Sequence, residues 1–136
     1  MQSLQWKFTP ETVLAHWPRQ RALAALATGT ADGRWGRWTV LAEPSRVVTA
    51  MTAEDALRAI DAASTDGATW IAALSYELGG AFEPRAYPRH RAPADGWPMA
   101  TLACCEARLL YDHESQTWQM SEQATELAAE IHDRVQ

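Results

Sequence analysis

The chain has 136 residues, 47% of them apolar, and a formal net charge of −5. This length suits one domain whose core needs no disulfide or metal for stability. An acidic balance with a single lysine argues against a nucleic-acid-binding surface, which requires clustered basic side chains. No apolar run reaches the ~18 residues of a membrane span, and no signal segment is recognisable at the N-terminus. We therefore expect a cytoplasmic protein with neither nucleic acid nor membrane as a partner.

The two cysteines, Cys104 and Cys105, are adjacent in the sequence. Neighbouring side chains on a strand point to opposite faces, so a disulfide between them would be strained. We predict two reduced, small apolar side chains. The four histidines show no ligand spacing with respect to these cysteines. The sequence therefore predicts no metal site and no cofactor in this chain.

The first predicted element is a short helix. Thr9 can cap its N-terminus, Pro10 suits its first position, and the helix ends by Pro18. An alanine-rich run follows, and after a loop come two β-rich runs on either side of a proline-containing bend. The strands are expected at residues 22–27, 38–42 and 46–50.

A second helix is expected after Thr52. Thr52 and Asp55 form a pair like a capping box, apolar residues follow at helical spacing, and the helix ends near Ser64. Residues 69–76 are nearly all apolar, which predicts a strand that is buried on both faces. Residues 83–98 lack any periodicity and predict a long irregular connection.

The C-terminal third predicts a β-hairpin and a final helix. The hairpin arms are expected at residues 99–111 and 117–120, and Ser121 can cap the helix. The apolar stripe of this helix comprises Ala124, Leu127, Ala128, Ile131 and Val135. The order of elements predicts an α+β fold with a largely antiparallel sheet and flanking helices, in a single domain over residues 1–136.

The loop at residues 28–37 has an unusual composition. Trp35 lies within it and Trp38 directly follows it, close to Arg34 and Arg37. A surface turn needs only small polar residues. Either the loop folds back and buries these rings, or it shapes a pocket.

Three segments of the chain resemble the N-terminal domain of aminodeoxychorismate synthase component I, also called para-aminobenzoate synthase component I, and of the related anthranilate synthase component I. The first segment runs from Leu26 to Pro44 and contains the Trp-bearing loop. The second is Leu74-Ser-Tyr-Glu-Leu-Gly79, followed by Phe82 and Glu83. The third is Ala107-Arg-Leu-Leu-Tyr-Asp-His113. The three segments occur in the family's order and with its spacing along almost the whole chain.

The resemblance implies the fold of the anthranilate synthase component I N-terminal domain. It also implies a place in folate biosynthesis, in the transferase that converts chorismate and glutamine-derived ammonia to 4-amino-4-deoxychorismate. The family's catalytic groups and Mg²⁺ site belong to a C-terminal chorismate-binding domain that we expect to be absent from this chain. We therefore expect no catalytic residue here and an inactive chain in isolation.

The implied partners are the chorismate-binding domain or chain and a glutamine amidotransferase subunit. In the absence of that domain, an apolar face of the chain is expected to be exposed. Self-association through an edge strand or the Trp-bearing loop is therefore also expected.

In this family the first segment also binds a molecule of tryptophan. The match implies a tryptophan-sized pocket at Leu26, Thr28, Trp35, Gly36, Arg37 and Trp38. The Thr28 hydroxyl would accept a hydrogen bond from the ligand's ammonium group, and Trp38 or Leu26 would wall the indole. The alternative is that Trp35 and Trp38 fill the pocket themselves or lie at a domain interface.

Two other functions stay open. The chain could be a free-standing regulatory module that binds an amino acid such as tryptophan, or the N-terminal domain of anthranilate synthase component I. The anthranilate synthase branch usually carries a Leu-Leu-Glu-Ser sensor, and this chain has Ala25-Leu-Ala-Thr28 in its place.

Overall fold

The computed structural model describes residues 1–27, 36–85 and 96–136. It is a mixed α/β fold with antiparallel sheets and flanking helices, as predicted. The chain divides into two compact units, residues 1–45 with 105–136 and residues 46–104. The single domain and the likeness to the anthranilate synthase domain stay predictions.

The elements alternate along the chain between short strands and short helices. In chain order they are β1 (Gln2–Leu4), α1 (Pro10–Ala15), β2 (Ala24–Leu26), β3 (Trp38–Glu43), β4 (Arg46–Ala50), α2 (Ala53–Thr65), β5 (Trp70–Leu74), α3 (Gly79–Phe82), β6 (Ala100–Cys104), β7 (Ala107–Asp112), β8 (Thr117–Met120) and α4 (Thr125–Val135). Single turns of 3₁₀ helix precede α3 and α4, at Tyr76–Leu78 and Glu122–Ala124.

The first unit is built on a five-stranded sheet with the order β1-β8-β7-β3-β2. Its core contains residues from one face of this sheet and from helices α1 and α4. Leu41 and Leu109 are partners across β3 and β7, and both are fully buried. The buried indole of Trp118 donates to the carbonyl of Phe8 at 2.8 Å. The predicted apolar stripe is confirmed, because Leu127, Ala128 and Ile131 in α4 and Ala124 just before it are buried and Val135 is half-buried.

The second unit is built on a three-stranded sheet with the order β4-β6-β5. Helix α2 packs on one face, and Ala56 on this helix is fully buried against Leu102 and its neighbours. The predicted cap of α2 is confirmed: the Thr52 hydroxyl accepts from the Asp55 amide at 3.1 Å. Strand β6 is central, so β4 and β5 form the two edges among the described residues.

The prediction of one hairpin arm over residues 99–111 is wrong. The structure has two strands there, β6 and β7, which belong to different sheets and are separated by Cys105 and Glu106. Ser121 stabilises this break, because its hydroxyl accepts from the Arg108 amide at 3.0 Å and donates to the Glu106 carbonyl at 2.6 Å. The same hydroxyl makes no helix-capping bond, so the cap predicted for Ser121 is also wrong.

The prediction that residues 69–76 form a strand buried on both faces is wrong as well. Strand β5 ends at Leu74 and lies at an edge of its sheet, with Ala72, Ala73 and Leu74 exposed. It ends there because Ser75 caps the following turn, accepting from the Glu77 amide at 3.3 Å. Apolar composition does not distinguish a central strand from an uncovered one, and the sheet order decides between them.

Two other local predictions are confirmed, and one short strand is not predicted. The helix α1 is confirmed, with Thr9 accepting from the Thr12 amide at 3.3 Å. Strand β1 is not predicted, since three residues are too few for a period and pairing with β8 orders them. Both cysteines are buried, and neither forms a disulfide.

Candidate functional site

The candidate pocket residues that the structure describes lie at one end of the first unit's sheet. Leu26 ends β2, Trp38 begins β3, and Leu26 is paired with Val40 across the two strands. Side chains alternate along a strand, so Leu26, Val40 and Trp38 share one face. This is the face opposite to the one that contributes Leu41 to the core.

The two apolar side chains among the candidate pocket residues, those of Leu26 and Trp38, are accessible to solvent. Leu26 is 52% exposed and Trp38 is 36% exposed, whereas Gly36 is buried. Thr28 and Trp35, the other two members of the predicted pocket, lie outside the described residues. The structure thus brings together four of the six predicted residues, and the binding of a ligand there stays a prediction.

Arg37 is held by two carboxylates at this site. Its Nη2 lies 2.8 Å from Oδ2 of Asp112, and its Nε lies 3.2 Å from Oδ1. Its Nη1 lies 3.2 Å from Oε2 of Glu114. The Asp112 side chain is only 6% exposed, so this forked bond partners a nearly buried charge.

The charges at the site shift each other's protonation. The hydrogen bond from Arg37 lowers the pKa of Asp112 to about 2, and the amide of Glu114 lowers it further, whereas burial acts in the opposite direction. The bond to Asp112 likewise raises the pKa of Arg37. Both groups are charged at neutral pH. The Arg37 guanidinium faces the carboxylates of both Asp112 and Glu114. Together these three groups carry a net negative charge, which favours a cationic group over an anionic one nearby.

The same guanidinium also contacts the indole of Trp38. Its Cζ lies 5.1 Å from the ring centroid, within the range of a cation–π interaction. Trp38 is also the cross-strand partner of Asp112. Arg37 therefore fixes the Trp38 ring and the end of the β7–β8 hairpin together, and we assign it a positioning role.

A second polar pair lies next to this one and was not singled out from the sequence. Oγ1 of the fully buried Thr39 lies 2.8 Å from Nε2 of His113, and the His113 amide donates to the Arg37 carbonyl at 2.8 Å. The His113 ring packs edge-on against Tyr111, 4.9 Å away. The sequence places Asp112 and His113 in the third segment and in the turn of the predicted hairpin. A polar pair at the end of an apolar strand was the signal that could have marked them.

The second unit contains two pockets that sequence reasoning missed. One, of about 380 Å³, is lined by Leu74, Tyr76, Glu77, Trp97 and their neighbours. The other, of about 250 Å³, lies between α2 and its sheet beside Arg46 and Trp70.

The smaller pocket is lined in part by a local network. Arg46 stacks over the Trp70 ring at 4.8 Å, and the indole N–H of Trp70 donates to Asp66 at 3.0 Å. This bond from Trp70 is the main reason why the pKa of Asp66 is lowered. The network joins the end of α2 to β5, and we read it as structural.

Within residues 1–27, 36–85 and 96–136, no group of three or more His, Cys, Asp or Glu side chains is placed to hold a metal ion. In that same part of the chain, none of the helices combines the length and the apolar character needed to cross a lipid bilayer.

No known family model matches the sequence, and no curated protein matches it either. Fold and site together define a mixed α/β protein with antiparallel sheets, in which an arginine-bound carboxylate stands beside two accessible apolar side chains.

Proposed function

We propose that the chain is the N-terminal part of an aminodeoxychorismate synthase component I. The complete enzyme aminates chorismate to 4-amino-4-deoxychorismate with ammonia from a glutamine amidotransferase subunit. In this proposal, the chorismate-binding component supplies the catalytic groups and the Mg²⁺ site. The chain described here contributes scaffold, a partner surface and an amino-acid pocket.

The observation that carries the proposal is the contact between Arg37 and Asp112. Arg37 belongs to the first segment of the resemblance and Asp112 to the third, 75 residues further along the chain. The antiparallel pairing of β3 with β7 brings the two segments together. These two meet through a forked ion pair whose carboxylate is nearly buried, beside Leu26 and Trp38.

The geometry also fits the ligand that the resemblance implies. Leu26 and Trp38 lie on one face and offer apolar contact area for an indole ring. The excess of carboxylate over guanidinium around Arg37 favours an ammonium group. In the proposal, Thr28 adds a hydroxyl acceptor and the backbone near Gly36 holds the rest of the amino-acid head group.

Association with the catalytic component tests the proposal. The purified chain is mixed with the chorismate-binding component from the same organism and analysed by sedimentation velocity. We expect a stoichiometric complex, and no turnover of chorismate and ammonia by the chain alone. Two independently sedimenting species, or turnover by the isolated chain, would contradict the proposal.

A second candidate, a free-standing tryptophan-binding module, is favoured by one observation. The Trp38 side chain is 36% exposed and Leu26 is 52% exposed, so both offer apolar area to a ligand. Calorimetry with L-tryptophan tests this candidate, and indole-3-propionate, which lacks the ammonium group, is the matched control ligand. Heat with L-tryptophan and a much weaker response to the control would support it, whereas the absence of heat with either ligand would remove it.

A further inference from the structure

The outer edge of β5 combines backbone groups that point away from its sheet with apolar side chains. Strand β5 pairs with β6 alone among the described strands. The Ser75 amide donates to the Met99 carbonyl at 2.9 Å, which extends the ladder by one residue in register with Leu74 and Ala100. In an antiparallel ladder, hydrogen-bonded and non-bonded pairs alternate. The backbone N–H and C=O groups of Trp70, Ala72 and Leu74 therefore point away from β6.

The sequence of this edge lacks the charges and the proline that often protect an edge strand. Trp70-Ile-Ala-Ala-Leu74 contains no charged residue and no proline. Ala72 and Ala73 are exposed, and Leu74 is 54% exposed. Strand β4, the opposite edge, begins instead with the charged Arg46 and carries an exposed Thr49.

We propose that β5 pairs with β5 of a second copy of this chain, antiparallel and about a twofold axis at Ala72. This register uses all three outward-pointing residues. Ala72 faces Ala72 of the second copy, and Trp70 faces its Leu74. Each facing pair exchanges two backbone hydrogen bonds. The strand is self-complementary, because no like charges face each other and each indole meets an aliphatic side chain.

The exposed side chains beside the edge give the contact enough area. Leu74, Tyr76 and Trp97 line one groove, and the two rings are 76% and 77% exposed. An aromatic side chain can bury roughly 150–250 Å². Two rings and the strand edge together approach the roughly 600 Å² per partner of the smallest stable interfaces. The pairing therefore yields a concentration-dependent dimer and joins two three-stranded sheets into one.

Sedimentation velocity over a range of concentrations is the first test. The chain should approach twice its monomer mass as the concentration rises. Ala72→Lys should remain monomeric, because the two lysines would face each other across the twofold axis and repel. The matched control is Thr49→Lys, an exposed site on the opposite edge strand, which should dimerise like the unmodified chain. A monomer at every concentration, or equal loss of the dimer in both variants, would overturn the proposal.

Cysteine cross-linking tests the register and does not depend on the lysine variant folding. The twofold axis at Ala72 places the two Cα atoms about 5.5 Å apart, within disulfide range. Ala72→Cys should therefore form a covalent dimer under oxidising conditions. Leu74→Cys is the control, because its two copies are offset by four residues and should not cross-link. Cross-linking of both variants, of neither, or of Leu74→Cys alone would contradict the proposed pairing.

Discussion

Arg37 and Asp112 form a forked ion pair in which Nη2 of the arginine lies 2.8 Å from Oδ2 of a carboxylate that is 6% exposed. Arg37 directly precedes β3, and Asp112 ends β7. The ion pair thus links Arg37, the last residue of the Trp-bearing loop, to the β7–β8 hairpin. The Arg37 guanidinium also lies over the Trp38 ring, so the pair sets the position of a predicted pocket wall.

Substitution of Asp112 should destabilise the first unit. Asp112→Asn removes the charge that partners Arg37, and we expect a loss of about 1–3 kcal/mol in the free energy of unfolding. Denaturant unfolding measures this loss. Glu114→Gln is the matched control, because Glu114 pairs with the same arginine but is 74% exposed, and its effect should stay within about 0.5 kcal/mol. Equal effects of the two substitutions would contradict the role assigned to Asp112.

The same carboxylate predicts a specific loss of stability in acid. Its pKa falls from 3.8 to about 2 on folding, so its contribution is fully present above about pH 4. That contribution is lost as the pH falls through about 2, where the folded protein takes up the proton. The difference in unfolding free energy between the unmodified chain and Asp112→Asn should therefore shrink between about pH 4 and pH 2. A difference that does not change across this range would show that Asp112 is not the titrating group.

Two leucines on opposite faces of the first unit's sheet should respond differently to truncation. Leu109→Ala empties a fully buried site and should cost about 2–5 kcal/mol, whereas Leu26→Ala affects a side chain that is 52% exposed and should cost less than about 1 kcal/mol. Thermal or denaturant unfolding compares them. If L-tryptophan binds, Leu26→Ala should weaken the binding without unfolding the protein. A large destabilisation by Leu26→Ala would place this side chain in the core instead.

The local features of the fold could be predicted from the sequence, because they depend on neighbouring residues. Thr9 and Thr52 cap the helices that their positions indicate, and the stripe of α4 is buried as its spacing predicts. The change of sheet at Cys105 could not be predicted, since the apolar run continues through it and the bonds that stabilise the break come from Ser121.

The candidate site shows the same division between local and long-range information. The composition around Trp38 indicates an unusual loop, and the family resemblance supplies the candidate residues of the pocket. The pairing of Arg37 with Asp112 depends on how β3 and β7 align, which no local pattern encodes. The exposed edge of β5 depends on the order of three strands, which the apolar composition of residues 69–76 does not encode.

The break between the two sheets offers a further test. Ser121→Ala removes a buried hydroxyl that accepts from the Arg108 amide and donates to the Glu106 carbonyl, and it should cost about 1–3 kcal/mol. Ser64→Ala removes an exposed hydroxyl that donates to the Asp61 carbonyl within its own helix, and should cost less than about 0.5 kcal/mol. Denaturant unfolding of both variants measures the contrast, and equal losses would mean that Ser121 does not stabilise the break.

The most direct measurement for the proposed function is reconstituted turnover. The chorismate-binding component from the same organism is assayed with chorismate, ammonia and Mg²⁺, with and without the purified chain, and 4-amino-4-deoxychorismate is quantified. We predict that the chain alone makes no product and that its addition raises the rate of the catalytic component until the two are stoichiometric. An unchanged rate at every ratio, or product from the chain alone, would contradict the assignment.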